Sequence, residues 1–289
     1  MRETSKLIGH QTLFRNLIYL DQIQNFPNKI LISGPKGIGK KTLINHFLNY
    51  FYSKKYDTVY DLRKNEFKLN NNLSKLISAN SHPNIFKIKK NKDKKIIEID
   101  QIREMIQFLN QTSFNNESRF IIIEDINLLG INSANALLKS IEEPNNNTFF
   151  ILINNSEFKI LETIKSRCLE YKSNLLNSEV IEIVNNYFNS DIYKDINLDF
   201  INNYNSPSFL ISLVNFVESN DLSINNCNIE DFLAYVIKNK LYTSDEFIKE
   251  YLNLFIELFF YKNINNSKKI SFKIKKYFYL KLSYVKKYN

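Results

Sequence analysis

A glycine-rich loop is the feature that most constrains this chain. It runs from Gly34 to Thr42, after the apolar run Ile30–Ile32 and before residues 43–48, whose apolar spacing predicts a helix. A glycine loop between a strand and a helix is the setting in which backbone N–H groups bind phosphate. The sequence therefore predicts a phosphate-binding loop at the head of a helix. Four residues would contact the phosphates: Gly34, Gly37, Gly39 and Lys40.

One position of the loop departs from the phosphate-binding pattern. The pattern G-x-x-x-x-G-K-[ST] holds from Gly34 to Lys40, but Lys41 stands where the hydroxyl belongs and Thr42 comes one residue late. That hydroxyl normally binds the Mg²⁺ that bridges the phosphates. One residue along a helix is a rotation of about 100°, so Thr42 should point elsewhere. We expect the loop to keep its shape and its metal chemistry to be impaired.

Composition sets the class of protein. The chain has 289 residues, enough for two or three domains, and no apolar run long enough to span a bilayer. Its first residues lack the apolar core of a secretory signal. Two cysteines, Cys168 and Cys227, make neither a disulfide framework nor a zinc cluster. These features predict a cytoplasmic, reduced protein.

The net charge of +9 suggests an acidic partner such as nucleic acid. The chain is also crowded with Asn, Lys and Ile and has only five Gly and five Pro. Such a bias is typical of an AT-rich genome, so many of the lysines can be the result of codon drift. The charge alone therefore leaves open whether this chain touches DNA.

Strands alternate with helices over the first 172 residues, which predicts an α/β domain with a mainly parallel sheet. The run Arg119–Ile123 is apolar, as in a strand that is buried on both faces. Asp100 is the expected N-cap of its helix. The predicted strands lie at 28–33, 85–88, 119–123 and 149–153 and near Tyr171. The predicted helices lie at 7–24, 39–52, 100–109 and 133–141.

The composition changes after Lys172. No glycine follows, and helical spacing dominates. We expect three domains, at 1–172, 173–222 and 223–289, the last two helical. Nine lysines and no acid lie between residues 262 and 289. The helices expected in this part are 178–188, 207–217, 229–238, 245–260 and 271–287.

Acidic residues follow the most apolar strand. Carboxylates in this position hold Mg²⁺ and the attacking water in ATPases. Here the pair is Glu124-Asp125, reversed from the usual Asp-Glu, so each carboxylate is misplaced by one methylene. The alternative interpretation is that both simply cap the strand. The candidate nucleotide site is completed by Thr42, Glu124, Asp125 and Asn154.

Several motifs together resemble the clamp-loader ATPases of DNA replication, an AAA+ family. The most specific run from Ser133 to Pro144 (SANALLKSIEEP) and from Thr163 to Cys168 (TIKSRC). The loop itself, residues 8–11 (IGHQ) and residues 81–84 (SHPN) extend the match through residue 172. The resemblance implies an AAA+ domain followed by a small helical lid and a helical collar.

Departures from the motor subunits of that family indicate the delta-prime branch of bacterial DNA polymerase III. Lys41 replaces the loop hydroxyl, the acidic pair is inverted, and Ser208 stands where motor subunits carry a phosphate-sensing arginine. The family's zinc-binding cysteines are missing, so the resemblance implies no metal. It further implies no intrinsic ATPase, with ATP or ADP at most a passive ligand, within a DNA-polymerizing (nucleotidyltransferase) holoenzyme.

The resemblance implies one catalytic residue and a set of partners. Arg167, in the Ser-Arg-Cys motif, would reach the ATP of a neighbouring subunit as an arginine finger, and Ser166 would orient its loop. The partners implied are gamma/tau and delta subunits, the sliding clamp and, through the complex, primed DNA. Two alternatives stay open: a gamma/tau-like ATPase with a tolerant loop, and a DNA-binding AAA+ protein that uses its C-terminal lysines.

Overall fold

The computed structural model describes residues 5–54, 60–69, 71–91, 93–156, 159–201 and 205–266. The chain divides into two compact units, Met1–Glu179 and Val180–Asn289. The finer division into three domains, with boundaries at 172 and 222, stays a prediction. The expected helix at 271–287 and most of the lysine-rich tail lie outside the described residues.

The first unit is built on a five-stranded sheet with the strand order β2-β3-β4-β1-β5. All four neighbouring pairs are parallel. The mainly parallel α/β fold expected from the sequence is therefore confirmed. The strands are β1 Lys29–Gly34, β2 Ile85–Ile88, β3 Arg119–Ile123, β4 Thr148–Asn155 and β5 Leu169–Lys172.

The described part of this unit has six α-helices, one before β1 and five between strands, and two expected helix starts were wrong. The first helix begins at Gln11 rather than at residue 7, because His10 has a positive φ of 55° that is incompatible with a continuous helix. Glu98, not Asp100, caps the fourth helix, in a capping box with Gln101. The helices are α1 Gln11–Gln22, α2 Lys40–Ser53, α3 Asn72–Ser78, α4 Ile99–Asn110, α5 Ile131–Glu142 and α6 Glu162–Lys165.

The sheet is buried on both faces, which explains its apolar strands. On one face Ile30 and Ile32 pack with Phe47 of α2, and on the other Leu31 packs with residues of α4 and α5. Alternate side chains of β1 thus enter two separate cores. This sandwiching fixes the end of β1, from which the glycine loop departs.

The Ser81–Asn84 motif serves the packing of this unit. The Asn84 side chain is fully buried and bonds both the N–H and the carbonyl of Phe114. The ring of His82 packs on Tyr52 with centroids 4.2 Å apart, and its Nδ1 accepts from the N–H of Asn84. Burial lowers the pKa of His82 to about 4. The motif therefore anchors the start of β2.

The second unit is helical in its described part. Phenylalanines form its core, with Phe232 and Phe255 at a centroid distance of 4.7 Å. Lys262 pairs with both Asp199 and Glu230, at 2.7 and 2.6 Å. In the stretches of chain described above, no helix is long and apolar enough to cross a bilayer. The helices are α7 Asn177–Phe188, which begins in the first unit, α8 Pro207–Ser219, α9 Ile229–Lys238, α10 Leu241–Ser244 and α11 Glu246–Asn266.

Candidate phosphate-binding site

The glycine loop joins β1 to α2 as expected, and two of its glycines are required by local geometry. Gly39 caps α2 with φ of 92°, a conformation that side chains rarely adopt. A Cβ on Gly34 would lie 2.1 Å from the carbonyl oxygen of Ser173. The first glycine is thus needed for the close approach of the chain after β5, whether or not phosphate binds.

Lys40 is turned into the loop rather than out of it. Its side chain is buried and its ammonium donates to the carbonyls of Gly34 at 2.7 Å and Pro35 at 2.5 Å, and to Oδ1 of Asn155 at 3.1 Å. An ammonium group has three N–H donors, and each has an acceptor from the chain itself. Lys40 therefore closes the loop internally, and a phosphate would have to displace at least one of these bonds.

Lys41 forms an ion pair with the first acid of the crevice. Its Nζ lies 2.6 Å from Oε2 of Glu124, whose side chain is only 14% exposed. In active P-loop enzymes the metal ion sits between the loop hydroxyl and a carboxylate at this strand end. Here the loop residue at that position is itself a cation and contacts the carboxylate directly. In this arrangement Lys41 therefore occupies one of the two carboxylate oxygens that Glu124 could offer to a metal ion.

The second acid has a partner as well. Asp125 follows β3 with a positive φ of 53°, and its Oδ1 accepts from Nδ2 of Asn155 at 2.6 Å. Asn155 therefore bridges Asp125 and Lys40. Thr42 is partly buried in the first turn of α2. Because Asp125 accepts from the Asn155 amide, its side chain is oriented toward the loop. The hydrogen bonds from Lys40 through Asn155 to Asp125 therefore serve to hold the loop and the strand end together.

Asn155, and not the predicted Asn154, belongs to this network. The register pairs Gly34 with Asn155 and Ser33 with Asn154, so neighbouring side chains leave β4 on opposite faces. The sequence shows both asparagines at the strand end, and only the register tells which one meets the loop.

Asn154 faces a separate cleft of about 470 Å³ at the carboxyl ends of β1, β4 and β5. Its amide oxygen is buried and has no hydrogen-bond partner in the described part of the chain. Lys165 and Glu170 on the wall pair at 3.5 Å, so part of the charge is neutralised. The other lining residues are Ser33, Gly34, Ser156, Lys159, Ile160, Glu162, Lys172 and Asn174.

His10 ties three segments together, a role that the sequence did not reveal. Its Nε2 lies 2.6 Å from the carbonyl of Ile38 in the loop, and its Nδ1 lies 3.1 Å from the Ser173 hydroxyl. Burial lowers the pKa of His10, which keeps the ring neutral near pH 7. A neutral ring can donate through one nitrogen and accept through the other, as these two contacts require.

Arg167 lies away from the loop, just after α6, and its side chain is 36% exposed. The guanidinium donates through Nε and Nη2 to Oε1 of Glu142, at 3.0 and 2.7 Å, and through Nη1 to the carbonyl of Thr163 at 2.9 Å. The Ser166 hydroxyl bonds the same carbonyl at 3.2 Å. Arg167 is therefore exposed enough to meet a partner and is held in one orientation.

Cys168 is partly buried and has a free thiol. Burial raises the pKa of Cys168 to about 11, so the thiol stays protonated and is a poor nucleophile. Over the same residues no group of three or more His, Cys, Asp or Glu side chains is placed to hold a metal ion.

Comparison with known proteins places the chain in a family. The model of the family described as DNA polymerase III, delta subunit, matches residues 9–175. DNA polymerase III subunit delta' of Pseudomonas aeruginosa is 33% identical over 140 residues, which are 48% of this chain and 41% of that protein. Subunit delta' of Buchnera aphidicola subsp. Schizaphis graminum is 29% identical over 228 residues, 78% of this chain and 66% of that protein.

Two further similarities concern a gamma subunit and a branch migration motor. DNA polymerase III subunit gamma of the same Buchnera is 30% identical over 141 residues, 46% of this chain and 38% of that protein. Among solved structures, the Thermotoga maritima RuvB Holliday junction branch migration motor aligns with a TM-score of 0.45 at 14% identity, over 78% of this chain and 69% of that one. The matches span about two fifths to two thirds of the lengths of these delta' and gamma relatives.

The family model extends over the glycine loop, the acidic crevice and the segment of Arg167. It covers more than half of the chain, and the two relatives named delta' are 33% and 29% identical to this chain over 140 and 228 residues. The chain therefore belongs to the family described as DNA polymerase III, delta subunit, and is delta-prime-like within it.

Proposed function

We propose that this chain is a subunit of a DNA polymerase III clamp loader that contributes structure and one arginine, and does not hydrolyse ATP itself. The observation that carries the proposal is the ion pair between Lys41 and Glu124. In this pair a lysine ammonium contacts the carboxylate at which an active ATPase would bind an exchangeable metal ion. Family membership supports the rest, because relatives of the same family are named as subunits of DNA polymerase III.

The partners proposed are gamma/tau-like motor subunits and a delta subunit, which together would act on the sliding clamp and on primed DNA. Within such a complex Arg167 would face the ATP of the neighbouring subunit. A guanidinium next to the γ-phosphate offsets the charge that grows in the transition state, and such a residue is worth roughly 10³–10⁵ in rate at its own site. The exposed position of Arg167 beyond the end of α6 suits this role.

The test uses the complex reconstituted with motor and delta subunits from the same source. We expect Arg167→Ala to assemble normally and to lower DNA-stimulated ATP turnover in part, since other sites keep their own arginines. Arg167→Lys should behave like Arg167→Ala, because a flexible point charge cannot reproduce the planar fork. Lys165→Ala, two residues away, is the matched control and should leave turnover unchanged. Full stimulated turnover in an assembled Arg167→Ala complex contradicts the role of this arginine.

A gamma-like ATPase is the second candidate, since the similarity to a gamma subunit reaches 30% identity over 141 residues. It predicts steady phosphate release by the isolated chain. The proposed function predicts none above background, and the measurement separates the two.

A further inference from the structure

The proposal starts from the way in which the Arg167 guanidinium is bound. Nε and Nη2 donate to a single oxygen of Glu142, and Nη1 donates to the Thr163 carbonyl. A guanidinium has five N–H donors, so three are engaged by the chain and two, one on each terminal nitrogen, are left over. The chain thus binds the Nε side of the guanidinium, and the two terminal nitrogens keep N–H donors for a second acceptor.

The groups that hold the guanidinium stand on a rigid support. Glu142 ends α5 directly after Ile141, and Arg167 follows α6, in which Ile164 is the buried residue. Ile141 and Ile164 are both at most 1% exposed and belong to the same apolar core. Glu142 is therefore one residue, and Arg167 three residues, from a side chain that is buried in this core, although the ion pair itself lies at the surface.

The position of the Glu142 carboxylate is electrostatically unfavourable for α5. It stands at the carboxyl end of α5, where the helix dipole disfavours negative charge, and Glu143 follows it. The Arg167 guanidinium compensates this charge at 2.7 Å. Glu142 therefore destabilises its own helix but binds the Arg167 guanidinium, which indicates that binding this cation is its role.

We infer that Glu142 is a positioning residue for Arg167, which it holds with the outer N–H groups directed to a phosphate of the neighbouring subunit. This inference rests on the proposed function of Arg167. A free arginine side chain loses rotamer entropy when it is fixed in one geometry. With Glu142 in place, the Arg167 side chain is already ordered before the neighbouring subunit binds. The guanidinium is therefore preorganised for the transition state.

The first measurement uses the isolated chain and the side-chain ¹H–¹⁵N signal of Arg167 Nε. The chain has six arginines, and the signal is assigned by its loss in Arg167→Lys. We expect this signal to shift and its exchange with water to accelerate in Glu142→Ala. Glu143→Ala is the matched control and should leave it in place. Glu142→Gln keeps one carbonyl acceptor and should give an intermediate result. An unchanged signal in Glu142→Ala overturns the inference.

The second measurement uses the reconstituted complex. We expect Glu142→Ala to lower the stimulated kcat by about three- to tenfold at the site that Arg167 serves, with KM for ATP unchanged and with partial rescue by Glu142→Gln. Combined with Arg167→Ala, it should cause no further loss, because both variants remove the same interaction. Glu143→Ala should be silent, and all variants should assemble.

The outcomes separate the two proposals. If Arg167→Ala lowers turnover and Glu142→Ala does not, the positioning role is overturned while the arginine role stands. If Glu142→Ala raises turnover, Glu142 restrains the arginine instead of presenting it, which also overturns the inference. If Arg167→Ala has no effect, the proposed function fails and the positioning role fails with it, even where the NMR signal reports the ion pair.

Discussion

The ammonium group of Lys41 lies 2.6 Å from a carboxylate oxygen of Glu124, across the crevice that separates the glycine loop from the end of β3. The pair puts the charge of a lysine side chain at a position where an active ATPase would bind a diffusible metal ion. A metal ion in this crevice would have to displace an ammonium that cannot leave the chain. The same crevice holds Asp125 through Asn155, so both acids are already engaged.

Replacing Lys41 by Thr should not create an ATPase. The change removes the ion pair and supplies the missing hydroxyl, but Asp125 remains bound to Asn155 and the acidic pair remains inverted. We expect phosphate release by the isolated Lys41→Thr chain to stay at background in a steady-state assay with Mg²⁺ and ATP. Lys40→Ala is the control. Release that appears with Lys41→Thr and disappears in the double variant would show that Lys41 alone silences the site.

Gly34→Ala should destabilise the first unit strongly. Its Cβ would lie 2.1 Å from the Ser173 carbonyl, and backbone on both sides must shift to admit it. Overpacking of this kind costs about 1–3 kcal/mol or more. Gly130→Ala is a matched control, because its closest contact is the end of the Ile96 side chain at 3.0 Å, which can move. Urea unfolding of both variants tests the difference, and equal midpoints would contradict it.

Stability should fall as the pH falls from about 6.5 towards 4. The pKa of His82 is lowered to about 4 in the folded chain, against an ordinary value of 6.5, because the ring is buried. Over that window the unfolded chain binds a proton at this residue and the folded chain does not, so acid favours unfolding. The full slope for one proton is about 1.4 kcal/mol per pH unit. His10, whose pKa is also lowered by burial, adds to the effect.

The contribution of His82 is isolated with His82→Phe. This variant keeps the packing on Tyr52 and removes the titrating group. We expect the free energy of unfolding to drop by about 2 kcal/mol less between pH 7 and pH 5 than it does in the parent chain. The comparison concerns slopes, so a constant loss of stability in the variant does not disturb it. Parallel slopes for the two proteins would refute the assignment to His82.

Lys262→Met should lower the melting temperature of the second unit. The ammonium lies between Asp199 and Glu230, and its removal leaves two partly buried carboxylates close together without their common cation. A loss of about 2–5 °C is expected. Lys194→Met removes one member of the exposed pair of Lys194 with Asp191 and should change nothing measurable. Calorimetry decides, and equal effects of the two changes would argue against the network.

The sequence alone was sufficient to predict the strands and the glycine loop. The apolar runs of β1, β3 and β4 are long enough to be recognised, and the glycine pattern is local. The helix starts were less accurate. The positive φ of His10 goes with contacts to distant segments, which the sequence does not show. The capping box of Glu98 with Gln101 is a local signal that the choice of Asp100 overlooked. Local patterns therefore predict which elements exist better than they predict where each one begins.

The side-chain partners of the site could not be derived in the same way. A pattern with a period of two puts Asn154 and Asn155 on opposite faces of β4 but does not tell which face meets the loop; that needs the register against β1. The ion pairs of Lys41 with Glu124 and of Arg167 with Glu142 join residues that are far apart in the chain. Such pairs follow from the packing of whole elements, which spacing along the sequence does not encode.

The position of β1 between β4 and β5 has a consequence for the order in which this unit can form during synthesis. Its neighbours, β4 and β5, end at Asn155 and Lys172, so a nascent chain carries β1 without partners through most of the synthesis of this unit. β2 and β3 can pair earlier, because their partners are synthesised sooner. The glycine loop, although it precedes both of these strands in the chain, is therefore among the last segments of this unit to acquire its shape.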